Sequence, residues 1–336
     1  MALAFIPSLR SPIWSTRSNS LKPHSQNSQS QTAPIMCKKK KQDNSGSNTV
    51  RASYSKPLKA RLAEGEKLYG AFLVSFSPLV AEIMGYAGYD FAVVDMEHGP
   101  GDFMAAVPVL QVLASTNTPA IIRIPDNDPV MVKKAMDLGP QGLMFPMIES
   151  PKDAKKAVSY CRYPPKGIRG AAHGVVRASR YGINENYLNE YEDELLVMCQ
   201  VESEDAVKKI EEIAQVEGVD CIQMGPTDLA SSMGFLSDLG NTKAKEMLMR
   251  AERGVLGVKN GPFLAGFAMP CDPPDEIQKR GYHMVSGAVD IALIRDAALA
   301  DVRKYKAWNG GGASADMEEG HDVDVLSGNE AEKEFA

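Results

Sequence analysis

Long apolar runs and paired cysteines are both missing from this chain of 336 residues. No apolar stretch approaches the roughly 20 residues that a bilayer-spanning helix needs, so we expect no membrane partner. The five cysteines are scattered, odd in number and free of any CxxC pair, which argues against a disulfide framework or a zinc knuckle. This usage fits a reducing compartment. Cys199 and Cys221 fall inside apolar runs, and we expect both in the core.

Acidic residues are almost absent from the first part of the chain. Residues 1–61 hold eleven Lys and Arg but one acid, Asp43, whereas the remainder holds 26 basic and 42 acidic residues. The acidic balance of the remainder argues against nucleic-acid binding. Residues 1–52 are rich in Ser, Asn, Gln and basic residues, the composition of an organellar transit peptide. We expect a disordered leader with a chloroplast address. A mitochondrial address, or a nuclear or RNA-binding role for the run Lys38–Lys41, is the alternative.

The other end of the chain is acidic and polar. Residues 309–336 open with Asn-Gly-Gly-Gly and carry eight acids against one Lys. Such a segment has too little apolar surface to fold by itself, so we expect a disordered, solvated tail.

Short apolar runs alternate with helical patterns between these ends, over residues 53–308. Eight runs and eight helical stretches in alternation predict a (β/α)8 TIM barrel, with a doubly wound parallel sheet as the alternative. The segment 162–194 is predicted as a long loop that acts as a lid or a subunit contact. The predicted strands are 68–76, 91–97, 119–125, 142–148, 195–202, 219–225, 262–269 and 284–294, and the predicted helices are 78–87, 101–115, 128–138, 151–161, 204–214, 242–258, 272–281 and 295–307.

Two carboxylates, Glu202 and Asp228, stand at the ends of successive apolar runs and are 26 residues apart. This spacing corresponds to one strand, one helix and two loops, so both acids are expected at the carboxyl edge of neighbouring parallel strands. In a (β/α)8 barrel that edge is where chemistry is carried out. Two adjacent carboxylates repel each other unless a cation or a proton lies between them. We therefore expect a hard divalent metal at this position.

Polar residues also occur at the ends of the second and third predicted strands, where His98 directly follows the second and Arg123 lies near the end of the third. The functional interpretation assigns proton transfer near neutral pH to His98, and stabilisation of an enolate or carboxylate charge to Arg123. In the structural interpretation His98 is a satisfied strand-end residue, Arg123 pairs with a structural acid, and Glu202 or Asp228 caps the following helix. Convergence of all four on one mouth of the barrel favours the functional interpretation.

These residue types suit the chemistry of a 2-keto acid. A metal held by the two carboxylates can chelate the carbonyl and carboxylate oxygens of such a substrate and act as a Lewis acid for its enolate. Backbone amides after Gly225-Pro226 begin a helix and form a ready site for the substrate carboxylate. No lysine occupies an inward strand position, which argues against Schiff-base chemistry. The ligand types leave Mg²⁺, Mn²⁺ and Co²⁺ open.

Six segments between about Leu68 and Trp308 form one pattern: GYDFAVVDMEH ending at His98, Arg123 followed by Asn-Asp-Pro at 127–129, RYPPKGIRG at 162–170, RASR at 177–180, QVE at 200–202 and GPTDL at 225–229. This pattern resembles the HpcH/HpaI aldolase family, the class II aldolases of 2,4-dihydroxyhept-2-ene-1,7-dioate and 2-keto-3-deoxy sugar acids. The resemblance implies a (β/α)8 barrel of the phosphoenolpyruvate/pyruvate type, usually hexameric, with a divalent metal. Together with the leader, it suggests a plant organellar member.

The resemblance also implies roles for individual residues. His98 resembles the acid/base histidine that acts through water, and Arg123 looks like the residue that stabilises the pyruvate enolate. Glu202 and Asp228 look like the metal ligands.

Substrate contacts and one further acid complete the implied site. Gln200, Gly225, Pro226 and Thr227 match substrate-contact positions, with Thr227 in place of a common Ala. Asp137 matches the family acid that raises the basicity of the histidine. It lies at the C-terminal end of the predicted helix 128–138, the end that faces away from the active mouth. We therefore expect a neighbouring subunit to supply Asp137; the alternative is a surface salt bridge.

These expectations converge on one activity, the reversible cleavage of a 4-hydroxy-2-keto acid to pyruvate and an aldehyde. A citrate-lyase-type CoA-ester lyase on the same barrel is the enzymatic alternative, and a non-catalytic plastid binding protein is the other. The resemblance implies that distal loops select the aldehyde, and here the 162–194 loop and the ends of predicted strands 1, 7 and 8 contain no readable code for it.

Overall fold

The structure, a computed structural model, describes residues 56–309. The predicted leader at 1–52 and all but the first residue of the predicted acidic tail lie outside these residues. Eight parallel strands close into a barrel in sequence order, which confirms the predicted TIM barrel rather than a doubly wound sheet. The strands are β1 (Leu68–Leu73), β2 (Phe91–Asp95), β3 (Ala120–Arg123), β4 (Gly142–Phe145), β5 (Leu196–Val201), β6 (Cys221–Met224), β7 (Phe263–Phe267) and β8 (Met284–Val289).

Twelve α-helices and one short 3₁₀ turn, Arg177–Ser179, accompany these strands in the described part of the chain. Polar N-caps begin several of the helices: the side chains of Ser77, Asp102 and Ser150 accept hydrogen bonds from backbone amides of the first turn. The helices are α1 (Leu58–Ala63), α2 (Pro78–Ala87), α3 (Phe103–Ser115), α4 (Pro129–Leu138), α5 (Pro151–Cys161), α6 (Tyr187–Glu194), α7 (Glu204–Val207), α8 (Ile210–Ala214), α9 (Pro226–Ser232), α10 (Thr242–Gly257), α11 (Pro274–Lys279) and α12 (Asp290–Asn309).

The structure corrects several predicted boundaries. The predicted helix 204–214 is two short helices, α7 and α8, and the predicted loop 162–194 contains α6 and the 3₁₀ turn. Helix α1 was not predicted, whereas α9 is the helix expected to begin after Gly225-Pro226. The predicted strand 284–294 ends at Val289, because Asp290 begins α12. Every strand stops before its apolar run ends; the last residues of the first seven runs follow their strands at the barrel mouth, and those of the eighth begin α12.

Apolar side chains fill two layers, one inside the barrel and one between the barrel and its helices. Phe91, Val93 and Met198 belong to the inner layer, and Val94, Leu143 and Val197 to the outer one. Because both faces of a parallel strand are buried, the strands read as continuous apolar runs in the sequence. Cys199 and Cys221 are fully buried, as predicted.

Helix α12 differs from the other helices in exposure. Its first residue, Asp290, is 1% exposed, whereas its apolar side chains further along are exposed, including Ile294, Leu299 and Trp308. The predicted amphipathic stretch 295–307 is therefore helical, but its apolar side chains do not pack against the barrel. Within residues 56–309, no helix is both long enough and apolar enough to cross a membrane.

Candidate active site

The carboxyl ends of the strands surround a cavity of about 470 Å³ at the barrel mouth. Side chains from β2, β3, β5 and β6 and from the loops that follow them reach this cavity, together with residues of β1, β7, β8 and α12. The lining residues are Phe72, Val74, Asp95, His98, Arg123, Gln200, Gln223, Met224, Gly225, Pro226, Thr227, Asp228, Phe267, Val289 and Ile291.

Arg123 forms a two-pronged ion pair with Asp95 on the neighbouring strand. Asp95 and Arg123 occupy partner positions in the β2–β3 register. The arginine Nε donates to Asp95 Oδ1 at 2.9 Å and its Nη2 donates to Oδ2 at 2.6 Å. Glu97 Oε2 lies 3.0 Å from the remaining nitrogen, Nη1. Burial opposes the guanidinium charge, but the hydrogen bonds to Asp95 and the negative charges of Asp95, Glu97 and Glu202 together outweigh it and raise the pKa of Arg123 above its ordinary value.

His98 lies in the loop that follows β2, with its side chain 62% exposed at the cavity. Asp95 Oδ1 also accepts from the backbone amides of Glu97, at 3.1 Å, and His98, at 3.4 Å. The same carboxylate therefore fixes both the arginine and the start of the histidine loop. Glu97 Oε2 is 4.0 Å from His98 Nε2, which places a carboxylate beside the imidazole.

Glu202 is buried at the end of β5, with a relative exposure of 2%. Its Oε1 accepts from the amide of Met147 at 2.7 Å, and its Oε2 accepts from the side-chain amide of Gln200. Burial raises the pKa of Glu202, these hydrogen bonds lower it, and the negative charge of Asp228 raises it further; the net shift is upward. Burial is the main cause of this shift, and the repulsion from Asp228 is a smaller contribution.

Asp228 is exposed to the cavity in the first turn of α9. The capping alternative is wrong for both acids, since Ser203 caps α7 and Gly225 occupies the N-cap position of α9. A Cβ atom on Gly225 would lie 2.5 Å from Glu202 Oε2, so only glycine leaves room for the carboxylate there.

This donor set fits a hard divalent cation. A buried carboxylate and an exposed one interact at the cavity, and oxygen ligands of this type suit Mg²⁺ and Mn²⁺. Within residues 56–309, no cluster of three or more His, Cys, Asp or Glu has metal-binding geometry. Two protein carboxylates would leave the other coordination positions to water and substrate, as an open catalytic site requires.

The predicted substrate-contact residues surround the same carboxylates. Gln200 is buried against Glu202, and Pro226 begins α9 directly after Gly225. Thr227 lines the cavity, and its hydroxyl oxygen is 4.0 Å from the sulfur of Met269. All four predicted contact positions therefore border one cavity.

Asp137 lies away from this cluster. Helix α4 leaves the carboxyl end of β3 and returns toward the start of β4, so Asp137, in its last turn, is at the opposite end of the barrel from His98. Its Oδ1 is 3.5 Å from Nη2 of Arg169, whose side chain is fully buried. Within one chain, Asp137 does not meet His98, as the sequence predicted.

Sequence reasoning missed Asp95 and Glu97 as site residues. Both lie in the segment that ends at His98, but they were interpreted only as part of a strand end. The signal that could have identified Asp95 is the pairing of a buried acid and a buried base at equivalent ends of adjacent parallel strands. Phe72 was also missed; its ring lies 4.9 Å below the Arg123 guanidinium carbon.

The profile of the family described as HpcH/HpaI aldolase/citrate lyase matches residues 68–297, the whole strand-bearing part of the barrel. The chain belongs to the HpcH/HpaI aldolase family. The hydroxypyruvate/pyruvate aldolase of Delftia acidovorans is 35% identical over 256 residues, which cover 75% of this chain and 93% of the relative. The 2-keto-3-deoxy-L-rhamnonate aldolase of Escherichia coli K12 is 33% identical over 263 residues, covering 78% of this chain and 97% of that enzyme.

A solved structure of a member of the same family is also similar to this chain. The HpcH/HpaI aldolase/citrate lyase family protein of Burkholderia cenocepacia J2315 superposes with a TM-score of 0.70 at 34% identity. The match covers 74% of this chain and 98% of that one. As a member of the HpcH/HpaI aldolase family, the chain is an enzyme of the pyruvate-aldolase type, a carbon–carbon lyase.

Proposed function

We propose that this family member is a metal-dependent class II aldolase that cleaves a 4-hydroxy-2-keto acid to pyruvate and an aldehyde. The observation that carries the proposal is the opposition of two groups across one cavity. Asp228 lines the cavity in the first turn of α9, the buried Glu202 lies against the lining residues Gly225 and Gln200, and Arg123 presents a fixed positive charge from β3. A 2-keto acid and its enolate need both kinds of group.

The reaction needs no co-reactant. Cleavage breaks the bond between C3 and C4 of the keto acid, and the electron pair of that bond forms the enolate of pyruvate. The 4-hydroxyl loses its proton as the aldehyde carbonyl forms, and a proton returned to C3 completes pyruvate. Mg²⁺ or Mn²⁺, with Co²⁺ also compatible, would supply Lewis-acid stabilisation of the keto oxygen when bound by Glu202 and Asp228.

The chain's own residues divide the remaining work. Arg123, held in one orientation by Asp95, stabilises the enolate oxygen because its guanidinium does not need to reorganise during the reaction. His98, exposed at the cavity, moves the proton of the 4-hydroxyl through a water molecule. Gln200 and the segment Gly225–Thr227 position the carboxylate end of the substrate.

We further propose that the active site is completed in a homo-oligomer, hexameric by family resemblance. Asp137 is 26% exposed at the far end of its own barrel; its Oδ1 is buried 3.5 Å from the Arg169 guanidinium, an ion pair that corresponds to the salt-bridge alternative. A neighbouring copy that brings Asp137 to His98 would raise the basicity of the imidazole. The exposed apolar side chains of α12 are the surface that such an association would cover.

Complementation tests the shared site. Asp137→Asn and His98→Asn variants should each be nearly inactive, and mixed oligomers should regain part of the activity, because some sites then combine an intact His98 with an intact Asp137. Light scattering reports whether both variants keep the wild-type particle mass. Full activity of Asp137→Asn, or of a monomer, contradicts this proposal.

The test of the activity itself uses the full chain with and without EDTA. We expect decarboxylation of oxaloacetate and cleavage of 4-hydroxy-2-keto acids, both lost with EDTA and restored by Mg²⁺ or Mn²⁺. EDTA-insensitive turnover rejects the mechanism. A Glu202→Gln variant that still binds metal and turns over rejects the assigned site.

Two other functions make different predictions. A citrate-lyase-type enzyme would bind CoA and cleave a malyl- or citryl-CoA ester. A non-catalytic binding protein would hold metal without turning over any keto acid, but such a role does not need His98, Arg123 and both carboxylates at one cavity.

We also propose a chloroplast location, supported by the basic, Ser-rich composition of residues 1–52. The full chain fused at its C-terminus to a fluorescent protein should accumulate in chloroplasts. Accumulation in mitochondria would favour the alternative address.

A further inference from the structure

One wall of the cavity, at the ends of β7, β8 and β1, is apolar, and we infer from it that the acceptor aldehyde is uncharged and apolar beyond its carbonyl carbon. This inference rests on the proposed aldolase function and names the class of its second substrate. The wall consists of Phe72, Val74, Phe267, Val289 and Ile291, named here the distal wall.

The strand order places Phe72 and Val74, at the end of β1, across the barrel from Glu202 at the end of β5, whereas Phe267 lies on β7, next to β6. In a closed barrel of eight strands, β1 lies opposite β5 and β8 lies opposite β4. Glu202 follows β5 and Asp228 follows β6, whereas the distal wall is built by β7, β8, β1 and the first turn of α12. A keto acid held from the β5–β6 side and by Arg123 therefore extends its C4 substituent toward the distal wall.

The distal wall is preformed and continuous. Phe72 and Phe267 meet edge to face, with ring centroids 5.7 Å apart, and Phe72 pairs with Val289 in the β1–β8 register. Edge-to-face contact of this kind fixes both rings. The wall therefore presents a defined apolar surface rather than loosely placed side chains.

A buried carboxylate outside the catalytic group holds the rest of the wall in place. Asp290, 1% exposed, accepts from the amides of Val74 at 3.0 Å and Ile291 at 2.7 Å through the same oxygen, Oδ1. Its other oxygen accepts from the amide of Ser75 at 3.2 Å. Because this clamp fixes the backbone on both sides, little ordering is needed when an aldehyde binds.

The charges of the residues at the cavity also favour an uncharged aldehyde. Of the described residues that line it, Arg123 is the only Lys or Arg, and Asp95 and Glu97 already surround its guanidinium. A carboxylate on the distal end of an aldehyde would be desolvated against Phe267, Val289 and Ile291, with no Lys or Arg among the described residues of the same chain beside it. Such desolvation without a partner is costly, whereas an alkyl or aryl group gains from contact with the same wall.

The test compares aldehydes of one shape and different polarity in aldol addition to pyruvate. 4-Methylpentanal and 4-oxobutanoate share a skeleton, with an isopropyl group in one replaced by a carboxylate in the other; glyceraldehyde provides a hydroxylated comparison. With the full chain, saturating pyruvate and Mg²⁺, we expect kcat/KM for 4-methylpentanal to exceed that for either polar aldehyde by at least about tenfold. An equal or higher value for 4-oxobutanoate or glyceraldehyde overturns the inference.

Two arginine substitutions distinguish an effect of the distal wall from a general effect of an added surface charge. Ile291 is 48% exposed and lines the cavity, whereas Leu256, 43% exposed on α10, is outside both the cavity lining and α12. Ile291→Arg should shift the kcat/KM ratio toward 4-oxobutanoate by about three- to fivefold, the range for a partly exposed charge pair. Leu256→Arg should leave the ratio at the wild-type value. Equal ratios in the two variants contradict the inference.

Failure of the inference and failure of the proposed function give different results. Exchange of the pyruvate methyl protons with solvent reports enolate formation without any aldehyde. Exchange without addition of 4-methylpentanal would overturn the inference alone. Absence of exchange, together with no addition of any aldehyde, would overturn the proposed aldolase.

Discussion

Arg123 and Asp95 join β3 to β2 through two parallel hydrogen bonds, at 2.9 and 2.6 Å, directly beneath the cavity. Both side chains are nearly buried, with 10% and 2% exposure. A guanidinium in this setting keeps its charge and one orientation, whatever occupies the cavity. Because Asp95 also accepts from the backbone of the His98 loop, one carboxylate positions two of the proposed catalytic residues.

Removing the charge of Asp95 should therefore damage both stability and activity. We expect Asp95→Asn to lower the free energy of unfolding by about 3–5 kcal/mol, the range for breaking a buried ion pair. Aldol cleavage should fall with it, because Arg123 and the His98 loop both lose their support. Chemical denaturation followed by circular dichroism measures the stability.

The control for Asp95 is an acid in an exposed pair. Asp275 and Lys279 are 67% and 65% exposed, so Asp275→Asn should cost less than about 1 kcal/mol. A loss for Asp95→Asn no larger than for this control would show that the ion pair does not organise the mouth.

Gly225 should be essential for metal binding although it is not a ligand. A Cβ atom there would lie 2.5 Å from Glu202 Oε2 and 2.7 Å from its Cβ, and Glu202 is held by Met147 and Gln200. We expect Gly225→Ala to weaken Mn²⁺ binding by about 10- to 100-fold, the effect of disturbing the surroundings of a metal ligand. Isothermal titration calorimetry with Mn²⁺ measures this directly.

Gly257 provides the matched glycine control. A Cβ atom at Gly257, the last residue of α10, would meet nothing within 4 Å. Gly257→Ala should bind Mn²⁺ like the wild type. Unchanged affinity in Gly225→Ala would contradict the close approach of Gly225 to Glu202.

Buried thiols make stability fall at alkaline pH. Burial raises the pKa of Cys161 from 9.0 to about 12. Between these values the unfolded chain loses the thiol proton while the folded chain keeps it, so this contribution to stability is complete below about pH 9 and is lost as the pH rises toward 12. The difference in unfolding free energy between the wild type and Cys161→Ala should fall by about 1.4 kcal/mol per pH unit over this range.

The control for this titration is Cys271→Ala, which removes an exposed thiol. The difference in unfolding free energy between the wild type and Cys271→Ala should not change with pH over this range. A constant difference for Cys161→Ala from pH 8 to 11 would contradict the effect of burial.

The barrel could be predicted because burial on both faces leaves each parallel strand as an apolar run, and eight such runs alternate with helical patterns. The positions of Glu202 and Asp228 followed from the spacing of one βα unit. The partner of Arg123 could not be predicted in the same way, because the register between β2 and β3 is set in three dimensions and not by spacing along the chain. Only the structure shows that Asp95, rather than Glu97, accepts hydrogen bonds from two nitrogens of the Arg123 guanidinium.

The C-terminal helix shows a second limit of sequence reasoning. The apolar pattern of 295–307 predicted a helix with an apolar face, and α12 is that helix, but a pattern does not say what the face contacts. In the structure Asp290 attaches α12 to the end of β1 and the apolar side chains beyond it remain exposed. The same attachment brings Ile291 of α12 beside Val74 in the distal wall, and no local sequence motif predicts this wall.

The most direct test of the central claim is the exchange of the pyruvate C3 protons in D₂O, followed by ¹H NMR. It reports enolate formation at the Glu202–Asp228–Arg123 site without assuming an aldehyde. With the full chain and Mg²⁺, we predict steady loss of the methyl signal, arrest of that loss by EDTA, recovery with excess Mg²⁺, and no exchange above the buffer rate in Glu202→Gln. Exchange that is insensitive to EDTA, or equally fast in Glu202→Gln, would contradict the account.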